Sequence, residues 1–105
     1  MILYHIVEQE KWLEASEGEG EDYEASSLVT EGFIHCSYSE QVIGTWNKVF
    51  DRRSGLWLLH INPALIEARI IDEDLYQMGE KFPHVYGPIP LRAVVKACPI
   101  EQFLN

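Results

Sequence analysis

Gly32-Phe33-Ile34-His35-Cys36-Ser37 has the pattern of a short strand. Alternation puts Phe33, His35 and Ser37 on one face, and Ile34 and Cys36 on the other. Upstream, residues 26–31 suit a helical turn capped by serine and closed by Gly32. Downstream, Ser39 is an N-cap for a helix over 40–50. Val42, Trp46 and Val49, with Ile43 and Phe50, form its apolar stripe, the mark of a core-facing helix.

Two further segments carry histidines toward this strand. Residues 2–7 alternate as a strand, with Leu3, His5 and Val7 sharing a face. Residues 82–88, Phe-Pro-His-Val-Tyr-Gly-Pro, hold His84 between prolines. Each proline removes a backbone donor, so this piece reads as an edge strand or a shaped loop. The rest follows from local pattern. Residues 8–16 form a helix that buries Trp12, and an acidic, glycine-containing run over 14–24 is a solvated loop. Residues 56–61 are apolar almost throughout, as in a central strand covered on both faces. A turn at 63–66, a strand at 68–71, a loop at 75–81 and a last strand at 91–100 complete the chain. This order predicts one α+β domain over residues 1–105, with a mixed β-sheet and two main helices.

Composition narrows the function. With 105 residues and 47% apolar content the chain can close one modest core. A formal charge of −9 argues against bulk nucleic-acid binding, which requires a basic surface. No segment has the roughly 20 apolar residues of a membrane helix, so no membrane partner is expected. The first strand lacks the flanks of a signal peptide, and Cys36 and Cys98 fit no disulfide scaffold or metal motif. The expectation is a cytoplasmic protein with both thiols reduced.

Imidazoles donate and accept hydrogen bonds near neutral pH, which makes His5, His35 and His84 the candidates for chemistry. Each lies near an aromatic, Tyr4, Phe33 or Tyr86, which suits a nucleotide-like small molecule. Taken singly, each also fits a satisfied core residue, as His60 does. Zinc held by all three is compatible with residue type but not with any local ligand spacing, so no metal is assigned. Ser37, Ser26 or Ser27 suits a hydroxyl or phosphate, Arg52 and Arg53 suit phosphate, and Glu73 suits a developing cation. Cys36 and His35 are strand neighbours that face opposite ways, so they do not make a nucleophilic pair.

The blocks Tyr4-His5-Ile6, Glu31-Gly32-Phe33-Ile34-His35-Cys36-Ser37 and Phe82-Pro83-His84-Val85-Tyr86-Gly87-Pro88, with Trp12, Ser27-Leu28 and Leu58-Leu59, resemble a bacterial family known as domain of unknown function 952. The resemblance implies an ADP-ribosyltransferase-like fold near the RNA 2′-phosphotransferase branch, with a split, mixed sheet and a cleft that takes NAD. It gives His5 the ribose hydroxyls, and His35 the nicotinamide side and the reacting centre. It places His84 where a glutamate usually supports an oxocarbenium-like transition state. A histidine is no fixed negative charge there. His84 therefore reads as a phosphate contact or general acid, and Tyr86 as a stacking partner for a base. Two readings stay open: a transferase acting through His35 and His84, with His5, Ser37, Tyr86 and Arg52 holding NAD, or a non-catalytic nucleotide-sensing or protein-interaction module.

Overall fold

The computed structural model describes residues 1–77 and 79–104. The first strand, β1 (Leu3–Glu8), leads into α1 (Gln9–Glu17). A two-residue strand β2 (Asp22–Tyr23), a short helix α2 (Ser26–Thr30) and β3 (Ile34–His35) follow. Helix α3 (Val42–Phe50) and the long strand β4 (Leu56–Ile61) come next. The chain ends with β5 (Ile70–Glu73), β6 (Phe82–Val85), β7 (Ile89–Pro90) and β8 (Val94–Pro99). This is an α+β architecture, and no helix among the described residues is long and apolar enough to cross a membrane.

The strands form three small sheets in the orders β1-β4-β8, β3-β6-β5 and β2-β7. Every one of their ladders is antiparallel, so the expected mixed sheet is corrected. Apolar alternation reports which face a strand buries and carries no information on a neighbour's direction. The first two sheets meet at Tyr4 and Ser37, which exchange backbone hydrogen bonds of 2.8 and 2.7 Å. That bridge brings His5 on β1 alongside His35 on β3.

The apolar run of β4 has its physical reason in two cores. Leu59 and Ile61 join Leu3, Val7, Ile34, Val85 and Ile89 in one cluster. Leu56 and Leu58 join Ile6, Val42, Trp46 and Ile100 in the other. Successive side chains of one strand point to opposite faces, so β4 must be apolar on both. Trp46, from the stripe of α3, also donates its indole N–H to the Arg53 carbonyl at 3.0 Å.

Two local expectations are corrected. Strand β6 is central, between β3 and β5, and not an edge strand or loop. At Pro83 the backbone contributes its carbonyl, which accepts from the Cys36 N–H at 3.1 Å. Ser39 does not cap α3; residues Ser39–Gln41 form a 3₁₀ turn, and the Gln41 side-chain oxygen accepts from the Tyr38 N–H at 3.0 Å. Met78, inside the segment read as a loop, lies outside the described residues.

The glycine of the Tyr86-Gly87-Pro88 block has a steric role. A β-carbon at Gly87 would stand 2.7 Å from the Ala68 Cβ. Crowding of this kind costs about 1–3 kcal/mol. Gly87→Ala is therefore expected to lower the thermal midpoint by several degrees, read by circular dichroism, and a midpoint equal to wild type would refute the contact.

Candidate functional site

The three sheets and the helices between them enclose a cleft of about 830 Å³, and His5, His35 and His84 all line it. Ser37, Thr45, Tyr23 and Tyr76 line it too. Strand register sets the histidines. His35 and His84 are direct cross-strand partners on β3 and β6. Their ring centroids are 5.4 Å apart, edge to face. Phe33 makes the floor beneath both, stacked on His84 at 4.2 Å and edge-on to His35 at 4.8 Å.

Each of these two imidazoles is backed by a carboxylate, and each carboxylate by a tyrosine. His35 donates its Nε2–H to Glu31 Oε2 at 2.9 Å, and the Tyr76 hydroxyl donates to Glu31 Oε1. His84 donates its Nδ1–H to Glu73 Oε1 at 3.0 Å, and the Tyr86 hydroxyl donates to that same oxygen. The two relays differ in exposure: the His84 side chain is 3% exposed and that of His35 42%. Hydrogen bonds from Tyr86, then His84, hold the Glu73 carboxyl below its ordinary range. The Glu73 carboxylate in turn raises the Tyr86 phenol. A carboxylate on one imidazole nitrogen fixes the tautomer and the orientation of the ring. Among the described residues, no other hydrogen bond is made by His35 Nδ1 or His84 Nε2.

His5 is arranged differently. Its Nδ1–H donates to the His35 carbonyl at 2.5 Å, and its Nε2 accepts from the Tyr23 hydroxyl at 2.7 Å. Burial lowers its pKa to about 4, so the ring is neutral at physiological pH. Burial likewise raises the Tyr23 phenol. Both nitrogens of His5 are therefore spent inside the protein, which leaves neither for the ribose contact expected of it. The same commitment removes His5 from a three-histidine zinc site. Among the described residues no group of three or more His, Cys, Asp or Glu side chains is placed to hold a metal ion.

Other expected residues are sorted by position. Ser37 lines the cleft, buried, with its hydroxyl 3.3 Å from that of Thr45. Arg52 does not line it; its guanidinium lies over the Trp46 ring at 4.6 Å and donates to Asn47. Left-handed backbone at Asp51 and Arg52, just after α3, turns that side chain back over the helix. Arg53 lines the cleft instead, 3.8 Å from Glu8. Tyr86 is not on the cleft wall, because its ring packs on Phe33 and its hydroxyl is given to Glu73. Cys36 borders the cleft but packs in the buried core, and burial pushes its thiol up to about 12, which leaves it inert as a nucleophile.

Sequence reasoning missed Tyr23, Glu31, Tyr76 and Thr45. Tyr23 sits in an acidic run yet is buried. Glu31 had one signal, its place four residues before His35. Tyr76 had none, because its partners come from distant parts of the chain.

These features define an α+β protein with a histidine cleft in which two imidazoles are carboxylate-backed. The chain belongs to the family described as Protein of unknown function (DUF952), whose model matches residues 6–97. That span holds every member of both relays. The crystal structure of Protein CC0527 from Caulobacter crescentus is 26% identical in sequence, with a TM-score of 0.80 over 94% of this chain and 85% of that one. A double-methionine variant of CC0527 gives a TM-score of 0.79 at the same identity and coverage. The solution structure of CC0527, at 24% identity and a TM-score of 0.67 over 92% and 82% of the two chains, shows the same fold. No curated protein matches significantly.

Proposed function

We propose that the cleft binds a phosphate-bearing, nucleotide-like small molecule, and that His35 and His84 pass protons to and from it. The observation that carries this reading is the pair of Tyr–Glu–His relays, with rings 5.4 Å apart on one aromatic floor. Two imidazoles at that separation reach neighbouring atoms of one substrate. One removes a proton from an attacking hydroxyl, and the other delivers a proton to the departing oxygen. Ser37 and Thr45, on the cleft wall, offer hydroxyls for positioning. Tyr76, on the cleft wall, supplies a flat surface.

The ADP-ribosyltransferase-like fold and NAD form part of the same proposal, but the side chains fit NAD poorly as a glycosyl donor. His5 has no nitrogen left for a ribose hydroxyl. The Glu73 carboxylate, which could support a cationic sugar carbon, is occupied by His84 and Tyr86. Proton transfer at a phosphorylated ligand suits these residues better.

The test is an amide-shift titration of the full chain with AMP, ADP-ribose, NAD and inorganic phosphate, followed by phosphorus NMR and a nicotinamide-release assay. Saturable shifts at Ser37, His35, Thr45 and His84 support the reading. No saturable shift with any of the four at millimolar concentration sinks it. Saturable binding with no turnover favours a non-catalytic sensing module.

A further inference from the structure

Two residues that line the cleft have hydroxyl hydrogens committed to partners within the protein. The His5 Nδ1 atom faces a backbone carbonyl, which can only accept, so that nitrogen carries the ring's proton. Its Nε2 is then bare, and the Tyr23 hydroxyl must donate to it. The Ser27 hydroxyl donates to the Phe33 carbonyl at 2.7 Å, again with only one possible direction. Tyr23 and Ser27 both line the cleft. A hydroxyl holds one hydrogen and two lone pairs, so each now offers a ligand lone pairs alone.

We infer that Tyr23 and Ser27 form an acceptor-only subsite for an uncharged hydrogen-bond donor on the ligand, of the kind a sugar diol presents. The inference rests on the nucleotide reading above and adds the ligand's orientation. An anionic group finds no donor on these two hydroxyls, and once Arg53 is paired with Glu8 the remaining charged side chains of the lining, Glu14 and Glu24 against Lys11, are acidic on balance. The phosphate end therefore lies toward His35 and His84, and the donor end toward Tyr23 and Ser27. Tyr23 is a specificity residue here, and His5 is a positioning residue that acts through it by fixing the direction of the Tyr23 hydroxyl.

The experiment compares AMP with its 2′,3′-dideoxy analogue by amide-shift titration of the wild type, Tyr23→Phe and Ser27→Ala. The wild type is expected to prefer AMP by about tenfold, the size of one good hydrogen bond in a buried setting. Tyr23→Phe and Ser27→Ala are each expected to shrink that ratio toward one. A merely structural role for either hydroxyl would weaken both ligands equally and leave the ratio intact, which would overturn the inference. Equal binding of the two ligands by the wild type overturns it while leaving the nucleotide reading in place. Absence of any binding removes both. A ligand-free readout stands beside these: nitrogen NMR of the His5 ring should show a protonated Nδ1 and a bare Nε2, and a protonated Nε2 overturns the assignment of the lone pairs.

Discussion

His84→Ala is expected to cut turnover of a phosphorylated ligand by about 10²- to 10⁴-fold, the usual contribution of a positioned general acid or base. His35→Ala should cost a similar factor. The double variant should lose little more than either single one, because two groups that act in one proton-transfer step do not contribute additively. His84 is buried and holds the Glu73 carboxylate, so its loss also costs stability. Three measurements separate the two effects. His84→Asn keeps a polar group near Glu73 and should restore much of the melting temperature without restoring turnover. Added imidazole should recover part of the activity of His84→Ala by occupying the vacated space. His60→Ala, on the far side of β4 and facing Tyr4 and Cys98, should leave turnover near wild type. Single histidine variants that stay within tenfold of wild type would remove the acid–base role.

The relays also predict an order among the supporting residues. Glu73→Gln keeps an acceptor for His84 but replaces a charge-assisted hydrogen bond with a weaker neutral one, so the ring is held less firmly and the variant's loss of rate should exceed that of Tyr86→Phe. Tyr86 only steadies Glu73, and its phenyl ring still packs on Phe33 after the change. A larger effect from Tyr86→Phe would mean that the hydroxyl itself reaches the ligand.

What the sequence disclosed depended on whether a signal was local. Period-two alternation in β1 and around β3 placed His5 and His35 on definite faces, because one backbone step reverses a side chain. The unbroken apolar run of β4 announced a strand between two cores, and the stripe of α3 announced its buried side. Convergence of the three histidines was also legible, since blocks that carry unusual polar residues in apolar strands invite a common site. Other features needed the fold. Tyr23 is surrounded by acids in sequence, and only its pairing through β2 with β7, near the end of the chain, buries it. Tyr76 sits in a polar segment whose value lies in reaching Glu31 and stacking on His35. Prolines around His84 suggested an edge, whereas the strand is central because Pro83 serves the ladder through its carbonyl. Arg52 and Arg53 are adjacent and chemically alike, and only the left-handed turn after α3 decides that Arg53 faces the cleft.

His5 should make the fold sensitive to mild acid. Its pKa is lowered from 6.5 to about 4 in the folded protein by burial. Above pH 6.5 both folded and unfolded chains hold it neutral, and it contributes no pH dependence. As pH falls from 6.5 toward 4 the unfolded chain takes up a proton that the folded chain refuses, so stability declines across that window. The shift corresponds to roughly 3 kcal/mol by the time the folded-state value is reached. His5→Gln removes the titration. Denaturant unfolding at several values between pH 7 and 4 should show wild type falling more steeply than His5→Gln by about that amount. His60, whose pKa is also lowered, and the carboxylates are common to both proteins and cancel in the comparison. Parallel curves would mean that the buried ring is solvated after all. Protonation of the folded ring, which begins only near pH 4, would also reach the ligand subsite. A cationic His5 carries hydrogen on both nitrogens, so Nε2 would donate to Tyr23 and the phenol hydrogen would have to turn outward. The acceptor facing the cleft would become a donor. Ligand selection by Tyr23 should therefore persist in folded protein through the window in which the fold weakens and fail only below about pH 4, where the folded ring itself takes the proton, and a preference for AMP already lost at pH 5.5 in still-folded protein would break the link between the two.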